Sequence, residues 1–282
     1  MDRIETYVFI DLETTGLPKH ESNQTRITEL SMVAVSRDHV MKATPEELPR
    51  VLNKFTKCFN PERPINPKSA EITGLSNDLL KNETTFNQKV CNAINSYLDL
   101  FQKPVCLVAH NGHGFDFPIL KNHFEKLNNC SMPIDILCAD SIYAFYDLEK
   151  EDESGNRQSS SEEGSSGKRV LDTENEPKPK RQAVENTQNQ LDDKTPQSGT
   201  VNTPPERRRQ IVRNIFYGND KKPDKSYKLE DIYERVSGRA AKDAHRAEGD
   251  CVMAMEIAIR LGQRFVDWVA NNQSPFAEVR AM

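Results

Sequence analysis

Residues 7–16, with the sequence YVFIDLETTG, decide how this chain folds. Four apolar, β-prone residues come first, and they predict a buried strand. Asp11 and Glu13 follow at the end of that strand, and because residues two apart in an extended chain point to the same side, their carboxylates are projected together. Two neighbouring anions repel, and a hard divalent cation such as Mg²⁺ or Mn²⁺ would offset that repulsion. The alternative is a strand that ends in a solvated acidic turn, and this stretch alone favours neither.

Two later stretches carry the other residues that a metal-dependent hydrolase needs. The apolar strand Val105–Ala109 is followed by a turn and then by a helix that begins near Asp116, which is either an ordinary helix cap or a metal ligand. Further on, in AHRAEGD, His245 stands five residues before Asp250. Residues at that spacing are about 140° apart on one helix. We therefore expect His245 on a loop and Asp250 on the first turn of the helix that follows.

The order of these residues resembles the DEDDh 3′→5′ exonucleases: Asp11-x-Glu13, then Asp116, then His245 and Asp250 with four residues between them. Longer segments are similar to the three-prime repair exonucleases in particular, namely DLETTGLP at 11–18, SAEITGLS at 69–76, CLVAHNG at 106–112, FDFPIL at 115–120, DSI at 140–142, KSYKLEDIY at 225–233 and AHRAEGD at 244–250. Together and in this order the motifs are specific, and the resemblance covers roughly residues 5–148 and 223–282.

The resemblance implies an α/β, ribonuclease H-like exonuclease fold, in which helices flank a central mixed sheet. The hydrophobic pattern adds strands at Ile27–Ser36 and 51–59, a polar connection at 38–49 and a helix within 85–101. Residues 1–148 and 223–282 would be the first and last parts of one exonuclease domain, with a long insertion at 149–222 between them.

The same resemblance implies two-metal hydrolysis of a phosphodiester. Asp11, Glu13, Asp116 and Asp250 would hold two Mg²⁺ ions, with Mn²⁺ able to replace them. His245 would be the general base for the attacking water, because the ordinary pKa of imidazole, about 6.5, lies near working pH. The product would be a 5′-mononucleotide.

The resemblance also implies substrate contacts. The backbone around Glu13 and Thr14, with Leu17, Pro18 and Asp250, would cradle the 3′-terminal nucleotide. Ile72 would wedge against the terminal bases. Phe115 stands where the family often has Tyr, so its ring could stack on a base but could not donate a hydrogen bond to the scissile phosphate. For Ile72 and Phe115 the alternative is plain core packing.

The insertion differs in composition from the rest of the chain. Residues 149–200 carry twelve acidic and eight basic side chains, and no aromatic residue occurs between Tyr146 and Phe216. So little apolar surface predicts disorder. Residues 201–225 carry seven basic and three acidic side chains, which are either phosphate contacts for DNA or a solvated basic face. The basic residues are Arg207, Arg208, Arg209, Arg213, Lys221, Lys222 and Lys225.

Two basic clusters inside the insertion resemble a bipartite nuclear-import signal: Lys168 with Arg169, and Lys178, Lys180 and Arg181. Short basic patches of this kind also arise by chance. The sequence therefore predicts a protein of the nucleus, the cytoplasm or both.

Other features of the sequence bear on partners and compartment. The six cysteines are scattered without a C-x-x-C pair, which predicts reduced thiols. Neither a signal peptide nor a hydrophobic C-terminal tail is seen, so we expect a soluble protein without a membrane anchor. Only Pro45 and Pro49 stand where vertebrate members can carry a polyproline stretch, so no polyproline-mediated partner is predicted. The resemblance implies a homodimer.

Three functions follow from this reading. The first is a 3′→5′ DNA exonuclease that acts on single strands or on frayed and mismatched 3′ ends, in DNA repair or DNA degradation. The second is a DEDDh exoribonuclease, because the same metal site serves both nucleic acids. The third is a catalytically inactive nucleic-acid-binding adaptor, which the presence of all five catalytic residues disfavours.

Overall fold

Strand β1, Thr6–Thr14, is the centre of the fold in the computed structural model, which describes residues 3–44, 47–127, 130–162, 225–242 and 244–282, without the side chains of 154–162. It pairs antiparallel with β2, Ile27–Ser36, on one side and parallel with β4, Val105–Ala109, on the other. The sequence analysis predicted that this strand ends before Asp11. The strand instead continues through both acids, because Glu13 still pairs with Glu29 of β2.

The six strands form one mixed sheet in the order β3-β2-β1-β4-β5-β6. Strands β3, Asn53–Cys58, β5, Leu137–Asp140, and β6, Ser274–Pro275, complete it. Strands β1, β4 and β5 are parallel, whereas β2, β3 and β6 pair antiparallel with their neighbours. The predicted α/β fold with a central mixed sheet is confirmed.

Both faces of the sheet are buried by helices. Alternate residues of β1 belong to two apolar clusters: Tyr7 and Phe9 lie on one face, where Phe265 packs with ring-centroid distances of 6.2 and 6.4 Å, and Val8 and Ile10 lie on the other. The described residues form the helices α1 Arg37–Lys42, α2 Pro67–Thr73, α3 Asn77–Leu80, α4 Gln88–Asp99, α5 Asp116–Glu125, α6 Ser141–Glu162, α7 Leu229–Ser237, α8 Ala247–Leu261 and α9 Gln263–Asn272. Short 3₁₀ turns occur at Pro18–His20 and Phe276–Glu278. Among these described helices, none combines the length and the apolar character that crossing a membrane requires.

Helix α1 falls in the stretch that the sequence analysis took as a polar connection. The Ser36 side chain accepts a hydrogen bond from the backbone N–H of His39, which caps the helix, and Val40 is buried beneath it. A local cap and one buried side chain are enough to form this short helix of six residues.

Helix α6 continues past the predicted start of the disordered insertion at residue 149 and ends at Glu162. Ion pairs to distant parts of the chain hold its middle, at Asp152 and Glu153. Lys225 Nζ lies 2.7 Å from Glu153 Oε1, and Arg264 Nη1 lies 2.8 Å from Asp152 Oδ1. The predicted disorder of residues 163–200, the import signal and all but one of the predicted basic DNA contacts lie outside the described residues.

Cysteine pairing also differs from the prediction of six reduced thiols. Cys91 of α4 and Cys130 form a disulfide, with 6.5 Å between their Cα atoms. They are 39 residues apart, so their proximity is produced by the packing of the loop after α5 against α4 and has no local sequence signal.

Candidate active site

Three carboxylates, two from β1 and one from α8, lie close together at the C-terminal half of β1. Asp11 and Glu13 are two residues apart on β1 and share a face, and Asp250 lies in the first turn of α8. One oxygen from each of the three lies within 4.8 Å of the others. The thiol of Cys251 contacts the carbonyl oxygen of Ser31 at 3.5 Å, and Ser31 is the cross-strand partner of Asp11. This contact fixes the first turn of α8 over the acids of β1.

Asp116 is connected to this group through the backbone of β1. It is the first residue of α5 and only 2% exposed, and its Oδ1 accepts a hydrogen bond of 3.1 Å from the backbone N–H of Leu12. Leu12 stands between Asp11 and Glu13, so the fourth acid is tied to the backbone that carries the first two. The structure therefore brings together all four acids named from the sequence.

The turn that delivers Asp116 is shaped by Asp140, a buried acid at the end of β5. Its Oδ2 accepts a hydrogen bond of 2.9 Å from the backbone N–H of His113. Burial raises the pKa of Asp140 to about 6, and backbone N–H groups of this turn counteract that rise. Sequence reasoning gave Asp140 no role: its Oδ1 accepts a local hydrogen bond from the N–H of Ile142, but the turn that its Oδ2 holds lies 27 residues earlier in the chain.

The acids raise one another's pKa values. Partial burial, followed by the charges of Asp250, Glu29 and Asp116, raises the pKa of Glu13 to about 8. Burial raises the pKa of Asp250 to about 7, and burial with the nearby charge of Asp116 raises that of Asp11 well above its ordinary value. A bound divalent cation would offset the repulsion between these carboxylates, and hard cations prefer carboxylate oxygens as ligands. These residues therefore fit a metal site.

His245 lies on the loop before α8, as its spacing from Asp250 predicted, and its side chain is exposed. Its φ of 65° is the left-handed conformation that few residues other than glycine adopt. The backbone N–H of His245 donates a 3.2 Å hydrogen bond to Asp250 Oδ2. The proposed base and the proposed ligand are thus joined in one turn.

Glu29 is a site residue that the sequence analysis missed. It lies opposite Glu13 on β2, its charge raises the pKa values of Asp11, Glu13 and Asp250, and its Oε2 accepts a hydrogen bond from the backbone N–H of Ala247 at 3.2 Å. The available signal was an acidic residue inside the apolar strand sequence ITELSMVAVS.

The residues expected to contact the substrate have different environments. Leu17 is 48% exposed and Ile72 is 45% exposed, so neither is a core residue. Their segments are joined where the backbone N–H of Asn66, which caps α2, donates to Thr15 O at 2.8 Å. Phe115 is partly buried against the apolar cluster on its side of the sheet. Thr14 is buried within β1, and Pro18 opens a 3₁₀ turn.

The basic residues of 201–225 that were predicted to contact DNA form what we call the basic strip. Of these residues, Lys225 alone lies within the described ranges. Its ammonium lies 3.2 Å from Glu149 Oε1 and 2.7 Å from Glu153 Oε1. In this structure the ammonium group of Lys225, which the sequence analysis predicted to contact a DNA phosphate, therefore pairs with two carboxylates of α6.

Comparisons with known proteins agree with this geometry. The family model described as Exonuclease matches residues 8–156. Three prime repair exonuclease 2 of Homo sapiens is 40% identical over 162 residues, which are 55% of this chain and 67% of that protein. Three-prime repair exonuclease 1 of Bos taurus is 29% identical over 289 residues, covering 99% of this chain and 70% of that protein. A crystal structure of E. coli exonuclease I with a dA16 oligonucleotide has a TM-score of 0.53 at 15% identity; the match covers 94% of this chain but 43% of that one, and it shows the fold alone.

Proposed function

This chain belongs to the exonuclease family, among the relatives of the three-prime repair exonucleases, and we propose from that premise that it removes nucleotides from the 3′ ends of DNA by metal-dependent hydrolysis. The observation that carries the proposal is the convergence of Asp11, Glu13 and Asp250, with Asp116 bonded to the backbone between the first two. Four acids brought together in this way can hold the metal ions that such hydrolysis of a phosphodiester uses.

Members of this family depend on divalent metal ions. In this chain Asp11, Glu13, Asp116 and Asp250 would hold them, and we propose two Mg²⁺ ions, with Mn²⁺ able to replace them. When bound, such ions lower the pKa of water and stabilise negative charge on phosphate oxygens. The protein supplies the carboxylates, and the Leu12–Asp116 hydrogen bond keeps the fourth acid in register with the other three.

We assign the role of general base to His245, whose turn is bonded to Asp250. In this proposal its imidazole takes a proton from the water whose oxygen attacks the terminal phosphorus. The bond from that phosphorus to the 3′-oxygen of the preceding nucleotide then breaks, and the 3′-oxygen takes up a proton. The products are a 5′-mononucleotide and a chain with a new 3′-hydroxyl.

Exposed apolar side chains on two neighbouring segments would suit the terminal bases. Leu17 and Ile72 present apolar surface on the two segments that meet at Thr15, so a terminal base could pack against both. Phe115 is partly buried, and it packs against the apolar cluster on its side of the sheet. Single-stranded and frayed ends are the substrates that expose a base for such contacts.

A comparison of matched DNA and RNA oligonucleotides tests the substrate. Purified protein with Mg²⁺ is expected to shorten single-stranded DNA and mismatched 3′ ends faster than RNA of the same sequence. A 3′-phosphate in place of the 3′-hydroxyl is the control for the direction of attack. Equal or faster shortening of RNA would assign the chain to the exoribonucleases instead.

We further propose that the protein is a homodimer and that it enters the nucleus. Within the described sheet β3 is an edge strand, which suits pairing with a second copy. Sedimentation equilibrium that gives the mass of one chain at micromolar concentration would reject the dimer. For nuclear entry, a reporter that carries residues 168–181 is compared with the same reporter after replacement of the basic residues in that segment. A wholly cytoplasmic reporter would reject import.

A further inference from the structure

We propose that Glu29 is a positioning residue for the turn that carries His245, and that it acts by accepting a hydrogen bond from the backbone at the start of α8. This inference rests on the proposed function for its catalytic consequence. The structural part of it, that Glu29 holds this turn in place, can be tested without any activity.

The start of α8 lacks a cap of its own. The first N–H groups of a helix have no partner inside the helix, and Ser, Thr, Asp or Asn usually supplies one from the capping position. In α8 that position is Arg246, whose side chain makes no capping bond within the described part of the chain. Ala247, the first helical residue, is fully buried, so its N–H needs a partner from the protein.

Glu29 supplies that partner from a strand 218 residues earlier in the chain. Its Oε2 lies 3.2 Å from Ala247 N, and its Oε1 lies 3.8 Å from the thiol sulfur of Cys58. Cys58 is the cross-strand neighbour of Glu29 on β3, so the carboxylate is held between the sheet and the helix. A carboxylate at this end also interacts favourably with the helix dipole.

The turn that carries His245 needs contacts that stabilise its backbone conformation. His245 has a φ of 65°, and a residue with a Cβ persists in that conformation only where its surroundings fix it. Two hydrogen bonds flank the turn, one from His245 N to Asp250 Oδ2 and one from Ala247 N to Glu29 Oε2. Asp250 would also bind metal, whereas Glu29 bonds the turn without being one of the proposed metal ligands.

The competing explanation is that Glu29 acts only as one more negative charge beside the metal ligands. Two conservative substitutions separate the explanations. Glu29→Gln keeps an oxygen at the position of the acceptor and removes the charge. Glu29→Asp keeps the charge and withdraws the acceptor by the length of one methylene group.

The positioning role predicts that Glu29→Asp is the more damaging change. We expect it to lower kcat by about 10- to 100-fold, the usual loss when a group that orients a catalytic residue is removed, with KM for DNA and the half-saturating Mg²⁺ concentration unchanged. Glu29→Gln should stay within about threefold of wild type, because an acceptor for Ala247 N–H remains. With both variants measured at saturating Mg²⁺, the reverse order of damage would overturn the proposal in favour of the charge.

A double-mutant cycle with His245→Ala tests whether Glu29 acts through the histidine. In the His245→Ala background, Glu29→Asp should cost nothing further, because the position of a missing imidazole no longer matters. A loss equal to that in the wild-type background would overturn the proposal.

Hydrogen exchange of residues 244–250 gives a readout that is independent of activity. Exchange at the Ala247 amide should become faster in Glu29→Asp and stay near wild type in Glu29→Gln. The matched control is Glu248→Gln, since Glu248 is an acid of the same turn whose partners are the side chains of Lys54, at 2.7 Å, and Thr56, at 3.4 Å, and it should change neither exchange nor kcat. Unchanged exchange in Glu29→Asp would reject the role of Glu29. An inactive wild-type protein in which this pattern still holds would reject the proposed function and leave the positioning contact standing.

Discussion

The carboxylate of Asp250 accepts a hydrogen bond from the backbone N–H of His245, with 3.2 Å between Asp250 Oδ2 and His245 N. One side chain therefore has two roles, as a candidate ligand beside Asp11 and Glu13 and as a support for the turn of the candidate base. Substitutions at the two positions should consequently have different effects on metal binding although both stop turnover.

The first prediction compares His245→Ala with Asp250→Asn. His245→Ala should lower kcat by about 10²- to 10⁴-fold, the usual contribution of a general base, and should retain Mn²⁺ affinity because all four carboxylates remain. Asp250→Asn should lose both turnover and metal affinity, since it removes one charge from the cluster. Calorimetric titration with Mn²⁺ measures the difference, and an equal loss of affinity in the two variants would contradict these roles.

The second prediction concerns stability in the absence of metal. The pKa of Glu13 is raised from 4.5 to about 8, so between these values the folded protein holds a proton that the unfolded chain releases. The contribution of Glu13 to the free energy of unfolding therefore falls as pH rises through that window. In EDTA, Glu13→Gln should match wild type in Tm at about pH 4.5 and exceed it at about pH 8.5, because the variant has no carboxylate to ionise.

Mg²⁺ should reverse this difference at the higher pH, because metal binding requires deprotonated ligands. With Mg²⁺ present, wild type should gain more Tm at the higher pH than at the lower one, and Glu13→Gln should gain less than wild type. If the difference in Tm between Glu13→Gln and wild type in EDTA became smaller as pH rises, the acids would not repel one another as described.

The third prediction concerns the turn between β4 and α5. A Cβ at Gly112 would lie 2.6 Å from the Cβ of Ala109 and 2.7 Å from Cε2 of Phe117, which is fully buried. Gly112→Ala should lower the free energy of unfolding by about 1–3 kcal/mol, the usual cost of overpacking, as measured by urea denaturation. Adding Phe117→Leu should cost less than the sum of the two single changes, because the shorter side chain leaves room. Strict additivity would show that the clash is relieved elsewhere.

The fourth prediction concerns the basic residues of 201–225, of which only Lys225 lies within the described residues. Replacing Arg207, Arg208 and Arg209 together with Gln should weaken DNA binding and reduce the slope of log affinity against log salt by roughly two to three, close to one unit per lost phosphate contact. Lys225→Gln is the matched control, because Glu149 and Glu153 already hold that charge, and it should leave the slope unchanged. The same slope in the triple variant as in wild type would remove these arginines from the interface.

The features that were predictable from the sequence are those with a local cause. Apolar runs predicted β2 and β4 with their observed bounds, and the five-residue spacing predicted His245 on a loop before Asp250 on a helix. The features that were missed depend on contacts between distant parts of the chain. Glu29 and Asp140 bond to the backbone N–H groups of Ala247 and His113, which come near them only in the fold, and α6 makes ion pairs to Lys225 and Arg264 beyond the predicted start of the insertion. Composition alone could not reveal those partners.

The measurement that tests the central claim most directly is a time course with single-stranded DNA labelled at its 5′ end, resolved on a sequencing gel. Parallel reactions contain Mg²⁺, EDTA, or Mg²⁺ with the Asp250→Asn variant. The acid cluster predicts a ladder that shortens from the 3′ end with wild type and Mg²⁺, and no shortening in the other two reactions. Shortening in EDTA, or with Asp250→Asn at the wild-type rate, would contradict the claim that these carboxylates carry out the reaction.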